Sequence, residues 1–373
     1  MTQPVRHDAM RACNLALVLG EVHRHGALTR AALAELTGLT KSTVSTLVGS
    51  LLDARFVEET GAVRAGERGR PGVEVVLSGA RMASLGLEVN VDYLAARVVD
   101  FAGVSRVSLR IERDNRGISA RSVLTAVRKL ASDALAQARD LDLTVAGAVL
   151  AVSGPVRDGV VLSAPNLGWR NVRADSLGVP VSVDNEANLA ALGELWYGGG
   201  GSDFLYVSGE IGIGAGVVVD SALFRGTGGE LGHVVVSPTG PPCRCGASGC
   251  LETYAGQEAL LRAAGVPTVE ALVTALTAGA SAVAAAGEAL GLALASAVNL
   301  LDIDRIVLGG VFGRLFPWLA PPVEAVLTAR LSALRGSVPE LRPSELGDSA
   351  ATLGAAGRTI HRILADPARF LPR

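Results

Sequence analysis

The chain has 373 residues, enough for two or three domains, and 49% of them are hydrophobic, which allows sizeable buried cores. A formal net charge of −2 excludes a uniformly basic nucleic-acid binder, although a local basic patch still supplies affinity for phosphates. The opening MTQPVRHDAM lacks an apolar signal core, and the longest apolar stretch, Ser281 to Leu301, contains Glu288 and Asn299, so a cytoplasmic protein with no membrane partner is expected.

An apolar helical pattern runs from about Met10 to His25, with Leu15, Val18, Leu19 and Val22 on one face, and stops at Gly26. Cys13 stands alone and reads as a core residue. In LTRAALAELTGLTKSTVSTLVGSLLDA, Thr29 is an N-cap, Leu33 and Leu36 face inward, Gly38 closes the helix and Thr40 caps another. In that next helix Val44, Leu47, Val48, Leu51 and Leu52 repeat at helical spacing. Lys41, Ser42, Thr43, Ser45 and Thr46 are left on the exposed face near its start, where short donors and acceptors suit base edges and phosphates of the major groove.

A polar helix face alone is as readily a solvated surface, and the next segment gives it direction. FVEETGAVRAGERGRPGVEVVLS reads as two strands around a Gly/Arg loop, a wing whose Arg64, Arg68 and Arg70 project toward backbone or minor groove. Residues 1–72 carry nine Lys or Arg against seven Asp or Glu, a mildly basic balance. Residues 1–78 are therefore expected to form an α+β winged helix-turn-helix domain with double-stranded DNA as partner.

From Met82 the texture changes to Val/Leu/Ala runs alternating with helices, as in an α/β domain over residues 79–373. SLGLEVNVDYLAARVVDFAG (84–103) and FLYVSGEIGIGAGVVVDSAL (204–223) share a layout of strand, polar or Gly turn, and strand ending in Val-Val-Asp. Such an echo suggests two similar lobes around a cleft, although two hairpins of this kind also arise by chance. Between them lie a helix (Ser119 to Asp140), a strand (Val145 to Val152), the turn SGPV and the segment APNLGWRNV. VPVSVDNEANLAALGELWYG follows, a strand entering a helix with Asp184, Asn185, Glu186 and Asn188 at the junction. Helix capping accounts for one of these four polar groups, not for all.

GELGHVVVSPTGPPCRCGASGCLE carries the strongest motif. His233, Cys243, Cys245 and Cys250 offer one imidazole and three thiolates, the number and softness of a closed, structural zinc site, with Gly246 and Gly249 allowing sharp turns. Three unligated thiols in one loop are the alternative. Zinc held there would pin the loop of about residues 233–252, with Glu230 and Glu252, against the cleft.

Together these segments resemble the ROK family of repressors, uncharacterised frames and sugar kinases. The resemblance rests on the RGRPG wing, PNLGW, DNEANLAALGE, the GIGAG turn and GELGH with CRCGASGCLE. It implies a two-lobed actin-like, hexokinase-like (ribonuclease H-like) domain behind the winged helix. It further implies a sugar held in the interlobe cleft by Asn166, Asn185, Glu186, Glu230, His233 and Glu252, with His233 serving zinc and sugar through different ring nitrogens.

The chain departs from the kinase pattern at three places. Where kinases carry an Asp followed by a Gly-Gly-Thr phosphate cradle, it reads Glu88-Val89-Asn90-Val91-Asp92. Where they place a Thr hydroxyl before the second glycine turn, it has Glu210 and Ile211, and Glu186 replaces the catalytic Asp. These departures predict a binder with no catalytic residues. The expected protein is a sugar-responsive repressor, a homodimer or tetramer on a palindromic operator, in which sugar closes the cleft and the short linker near residues 78–83 passes the rotation on. The alternatives are an ATP-dependent sugar kinase carrying a DNA-binding domain, and a constitutive regulator answering to a partner protein.

Overall fold

The computed structural model describes residues 7–61, 73–174, 179–224 and 229–371. The chain opens with α1 (His7–His25), the short strand β1 (Leu28–Thr29), α2 (Arg30–Thr37) and α3 (Lys41–Asp53), followed by β2 (Val57–Glu59) and β3 (Glu74–Leu77). Thr29 caps α2 by accepting from the Ala32 amide, Gly38 ends it at φ 69°, and Thr40 caps α3 by accepting from the Thr43 amide. The strands form one sheet in the order β1-β3-β2, so helix, turn, helix and paired wing strands follow as expected. Arg64, Arg68 and Arg70 lie outside the described residues.

Two expectations for this unit need correction. Cys13 is exposed, because it sits two residues before Leu15 and so on the opposite face of α1. Leu36 is 48% exposed, because α2 is only eight residues long and meets its neighbours along the side of Leu33 and Ala34.

The rest is two lobes of one design. In the first, β4 (Met82–Val89), β5 (Tyr93–Asp100), β6 (Ser105–Glu112), α4 (Ala120–Asp140) and β7 (Thr144–Val152) lead to a small sheet of β8 (Val156–Arg157), β9 (Val160–Ala164) and β10 (Trp169–Arg173). Then come β11 (Val181–Asn185) and α5 (Glu186–Tyr197). In the second lobe β12 (Phe204–Gly209), β13 (Ile213–Val219) and β14 (Ala222–Leu223) precede α6 (Glu252–Ala255), α7 (Gln257–Ala264), α8 (Val269–Thr277) and α9 (Ala284–Leu301). It continues with β15 (Arg305–Gly310), α10 (Val311–Arg314), α11 (Phe316–Arg335) and β16 (Glu340–Pro343).

The large sheets run β11-β7-β4-β5-β6 and β14-β13-β12-β15-β16. Numbered within each lobe, both read third, second, first, fourth, fifth, with the first three strands antiparallel and the last two parallel to the first. The paired hairpins seen in the sequence are thus the equivalent openings of two like sheets. Helix α9 is long and apolar enough to cross a membrane by composition, but half of it is buried inside the fold, where it packs on α11.

The last helix, α12 (Ala350–Ala365), returns to the first lobe and lies against α5, β4 and β7. Glycine makes this approach possible. A Cβ at Gly354 would fall on the Leu189 carbonyl and 2.6 Å from the Gly193 amide nitrogen, and one at Gly86 would fall on the Thr352 carbonyl. The outer face of α12 completes the winged-helix core: Ala356, Ile360, Ile363 and Leu364 pack in one cluster with Leu15, Val18, Leu19 and Val22 of α1. The Phe56 and Phe101 rings meet tilted across the same seam, centroids 5.3 Å apart, and a side chain at Gly79 in the connecting segment would come 2.6 Å from Asp100 Oδ2. The connection is a packed joint, continuous with the first lobe.

Candidate functional site

Strand ends and turns of the two lobes converge on one cleft, and all six polar residues expected there line it: Asn166, Asn185, Glu186, Glu230, His233 and Glu252. Each is placed by local structure. Asn166 sits in the single turn Pro165–Leu167 that ends at Gly168 with φ 70°. Asn185 caps α5, accepting from the Asn188 amide at 3.1 Å and donating to the Gly154 carbonyl at 3.0 Å. Glu186, the first residue of α5, accepts from the Ser208 hydroxyl at 3.0 Å. Glu230 and His233 bracket a turn, and Glu252 opens α6. The glycine turn before β13 supplies room, since a Cβ at Gly212 would lie 2.9 Å from Glu252 Oε2 and 3.2 Å from Asn166 Nδ2.

Asp184 and Asn188 are not part of this cleft. Alternation along β11 turns Asp184 away from Asn185 to pair with Arg358 of α12, and both Asp184 and Asn188 line a separate cavity beside Trp196 and His361. There the Trp196 and His361 rings stack at 3.9 Å, and His23 of α1 meets His361 edge-on at 4.9 Å. Burial, then the neighbouring His23, pushes His361 down to about 3, so it is neutral at any ordinary pH.

At the end of the cleft next to β4, three carboxyls converge. Glu88 is buried and accepts from the Tyr93 hydroxyl at 2.7 Å, while its Oε2 has no partner among the described residues. Glu210 accepts from Asn90 Nδ2 at 3.3 Å, a bond between the lobes. Desolvation first, and mutual repulsion second, push Glu88, Glu186 and Glu210 each up to about 8. Val89 and Val91 fill the neighbouring wall with side chains. A group of anionic oxygens entering here meets carboxyls and valines, with no run of glycine amides between β4 and β5.

The metal cluster expected from the sequence comes together. The donor atoms of His233, Cys243, Cys245 and Cys250 all lie within 4.8 Å of one another, with Cys243 Sγ 3.6 Å from His233 Nδ1 and Cys245 Sγ 3.7 Å from Cys250 Sγ. A tetrahedral zinc with bonds of about 2.3 Å to sulfur and about 2.0 Å to nitrogen requires edges of about 3.8 and 3.5 Å. The donor set therefore fits zinc in number, softness and size. His233 Nδ1 lies 3.6 Å from Cys243 Sγ and 3.7 Å from Glu252 Oε1, whereas Nε2 lies 3.7 Å from Glu230 Oε2, so the two ring nitrogens face different partners.

On α3, Lys41, Ser42, Ser45 and Thr46 are exposed and Thr43 half-exposed. The Ser42 and Thr43 hydroxyls each lie 2.9 Å from that of Thr40, and the Thr46 hydroxyl donates to the Ser42 carbonyl at 3.1 Å. Lys41 and Ser45 have no side-chain partner among the described residues.

One residue escaped sequence reasoning. Arg244, between two of the thiols, donates to Asn166 Oδ1 at 3.0 Å and to both oxygens of Glu258 at 3.0 and 2.9 Å. Its position inside the CRC motif was the available signal.

Comparison with known proteins matches a model of the ROK family over residues 84–360 and one of the MarR family over residues 16–69. The xylose repressor of Caldicellulosiruptor bescii is 29% identical, over 97% of this chain and 98% of that protein. A ROK family transcriptional regulator, a homologue of the E. coli MLC protein, superposes with a TM-score of 0.78 at 25% identity, over 96% of this chain and 97% of its own. A ROK family glucokinase from Streptomyces griseus, crystallised with glucose and AMPPNP, gives 0.62 at 26% identity, over 74% of this chain and 98% of its own.

Proposed function

The chain belongs to the ROK family, and from that membership we propose that it is a sugar-responsive transcriptional repressor of carbohydrate-metabolism genes. Residues 1–78 form the DNA-binding domain and residues 79–373 the sugar-binding domain, acting inside the cell as a homodimer or tetramer on a palindromic operator. Lys41, Ser42, Thr43, Ser45 and Thr46 contact base edges and phosphates of the major groove, Lys41 a phosphate, and Arg64, Arg68 and Arg70 of the wing hold the backbone or minor groove. Asn166, Asn185, Glu186, Glu230, His233 and Glu252 bind the sugar. Because a relative matched over nearly its whole length is named a xylose repressor, D-xylose is the first sugar to test.

One observation carries the reading: the helix that begins at the cleft ends against α12, which packs on the DNA-binding unit. Asn185 and Glu186 open α5, while Trp196 near its other end stacks on His361 of α12, which meets His23 of α1. A sugar that shifts the start of α5 therefore acts on a body packed, through α12, into the winged-helix core. Such a ligand needs only to prefer the state that fits DNA poorly, by about 5.5 kcal/mol for a complete switch and less for partial induction.

His233, Cys243, Cys245 and Cys250 would hold zinc as a cross-link that supplies no chemistry on the ligand, since four protein donors would fill its coordination. Its four residues fix the loop between Glu230 and Glu252. Phosphoryl transfer is not expected, because Glu210, Val89 and Val91 line the corner a triphosphate would need, with Glu88 buried beside them. The test combines gel-shift titration of an operator, selected by the protein from random duplexes, with a sugar panel and an ATP-coupled assay. Sugar-dependent release without phosphoryl transfer supports the repressor, whereas sugar phosphorylation above background establishes the kinase.

A further inference from the structure

We propose that Arg244 is a positioning residue that fixes which end of the Asn166 amide faces the ligand, and thereby sets which sugar epimers the cleft accepts. This deepens, and rests on, the sugar-binding reading above. The guanidinium is held first by its own lobe: Nη2 contacts both Glu258 oxygens at 3.0 and 2.9 Å, which fixes its plane. From that plane Nη1 spans the cleft to Asn166 Oδ1 at 3.0 Å on the opposite lobe. The backbone that carries it is equally constrained. Cys243 and Cys245 flank it, the Cys243 amide donates to the Ala247 carbonyl at 2.8 Å, and the Gly246 amide donates to the Cys243 carbonyl at 3.0 Å.

The two ends of an Asn side chain are nearly the same in shape and opposite in polarity, so an orientation is chosen by hydrogen bonding alone. A cation that occupies Oδ1 forbids the flipped amide, which would set N–H against N–H. Across an exposed charged bond of this kind the preference for one orientation is about two- to fivefold. Nδ2 is then the end left for the ligand, and it converges with Glu252 Oε2 over Gly212, where a side chain would fill the space. The pair is a donor beside an acceptor. A ring hydroxyl that accepts from Asn166 and donates to Glu252 fits it, and an epimer that turns this hydroxyl away leaves both groups unpaired.

Full-length wild type, R244A, R244K and E258Q are titrated by calorimetry with D-xylose, D-glucose and the C2, C3 and C4 epimers of each, with zinc measured per chain. R244A is expected to weaken the best-bound of these sugars about two- to fivefold and to narrow its lead over the epimers, with zinc retained and the lead partly restored in R244K. E258Q, which leaves the zinc loop intact, is expected to narrow the lead as well, and it carries the test if R244A loses zinc. Unchanged epimer ranking in E258Q and in zinc-loaded R244A, or an equal loss for every epimer, overturns this inference alone. Wild-type protein that binds none of the eight sugars overturns the sugar reading and this inference with it.

Discussion

Gly354 lies where α12 crosses α5, and replacing it with alanine strains the contact that joins the cleft to the DNA-binding unit. The added methyl would fall on the Leu189 carbonyl and 2.6 Å from the Gly193 amide, where ordinary contact begins near 3.4 Å, so the helices must part by close to an ångström or more. Both obstacles are backbone and cannot rotate aside. Overpacking of this kind costs about 1–3 kcal/mol, which for a protein of this size corresponds to a fall in Tm of roughly 1–4 °C. The displacement also moves α5, whose first turn carries Asn185 and Glu186, relative to His361 on α12. Scanning calorimetry and operator titration with and without sugar would read the two effects. Gly354→Ala should lower Tm and shrink the sugar-dependent change in operator affinity while the sugar-free protein still binds DNA. Wild-type Tm together with a wild-type sugar response would refute the idea that this crossing is tight and carries the signal.

Other outcomes follow from the same geometry. Zinc should be found at one ion per chain, and chelation or Cys245→Ser should weaken sugar binding by at least the one His233 hydrogen bond, about 1 kcal/mol or roughly fivefold, measured by calorimetry. Lys41→Ala should lower operator affinity on all sequences alike and reduce the slope of log K against log salt by about 0.9, with sugar affinity unchanged. Glu88, Glu186 and Glu210, raised from 4.5 to about 8, keep protons in the folded state that the unfolded chain releases. Their contribution to stability is therefore full below about pH 4.5 and is lost as pH rises through about 8. Glu88→Gln, whose amide oxygen still accepts from Tyr93, should match wild type in Tm near pH 5 and exceed it near pH 8.5.

The parts of this molecule that were legible in the sequence are those whose partners lie close along the chain. Thr29 and Thr40 cap helices three residues on, the three thiols fall within eight residues, and each hairpin is contiguous. Repetition made the two lobes visible as well, since the second hairpin restates the first at a distance of about 120 residues. What could not be read depends on pairings set only by tertiary packing. Asp184 looks like a neighbour of Asn185, yet strand alternation turns it to Arg358, 174 residues away. The bond from Arg244 to Asn166 spans 78 residues and two lobes, and the meeting of Glu88, Glu186 and Glu210 needs both sheets in place. The return of α12 to the first lobe left only small residues, Gly354 and Gly193, as its mark, and glycine within a helix has several readings.

The central claim is that sugar in the cleft loosens the grip on DNA without being consumed. Fluorescence anisotropy of the full-length protein on its selected operator, titrated with D-xylose and the rest of the sugar panel at fixed salt, measures this directly. At least one unphosphorylated sugar is predicted to raise the operator Kd about tenfold or more, with the sugar recovered unchanged when ATP and magnesium are present. Operator affinity that no sugar alters would contradict the claim.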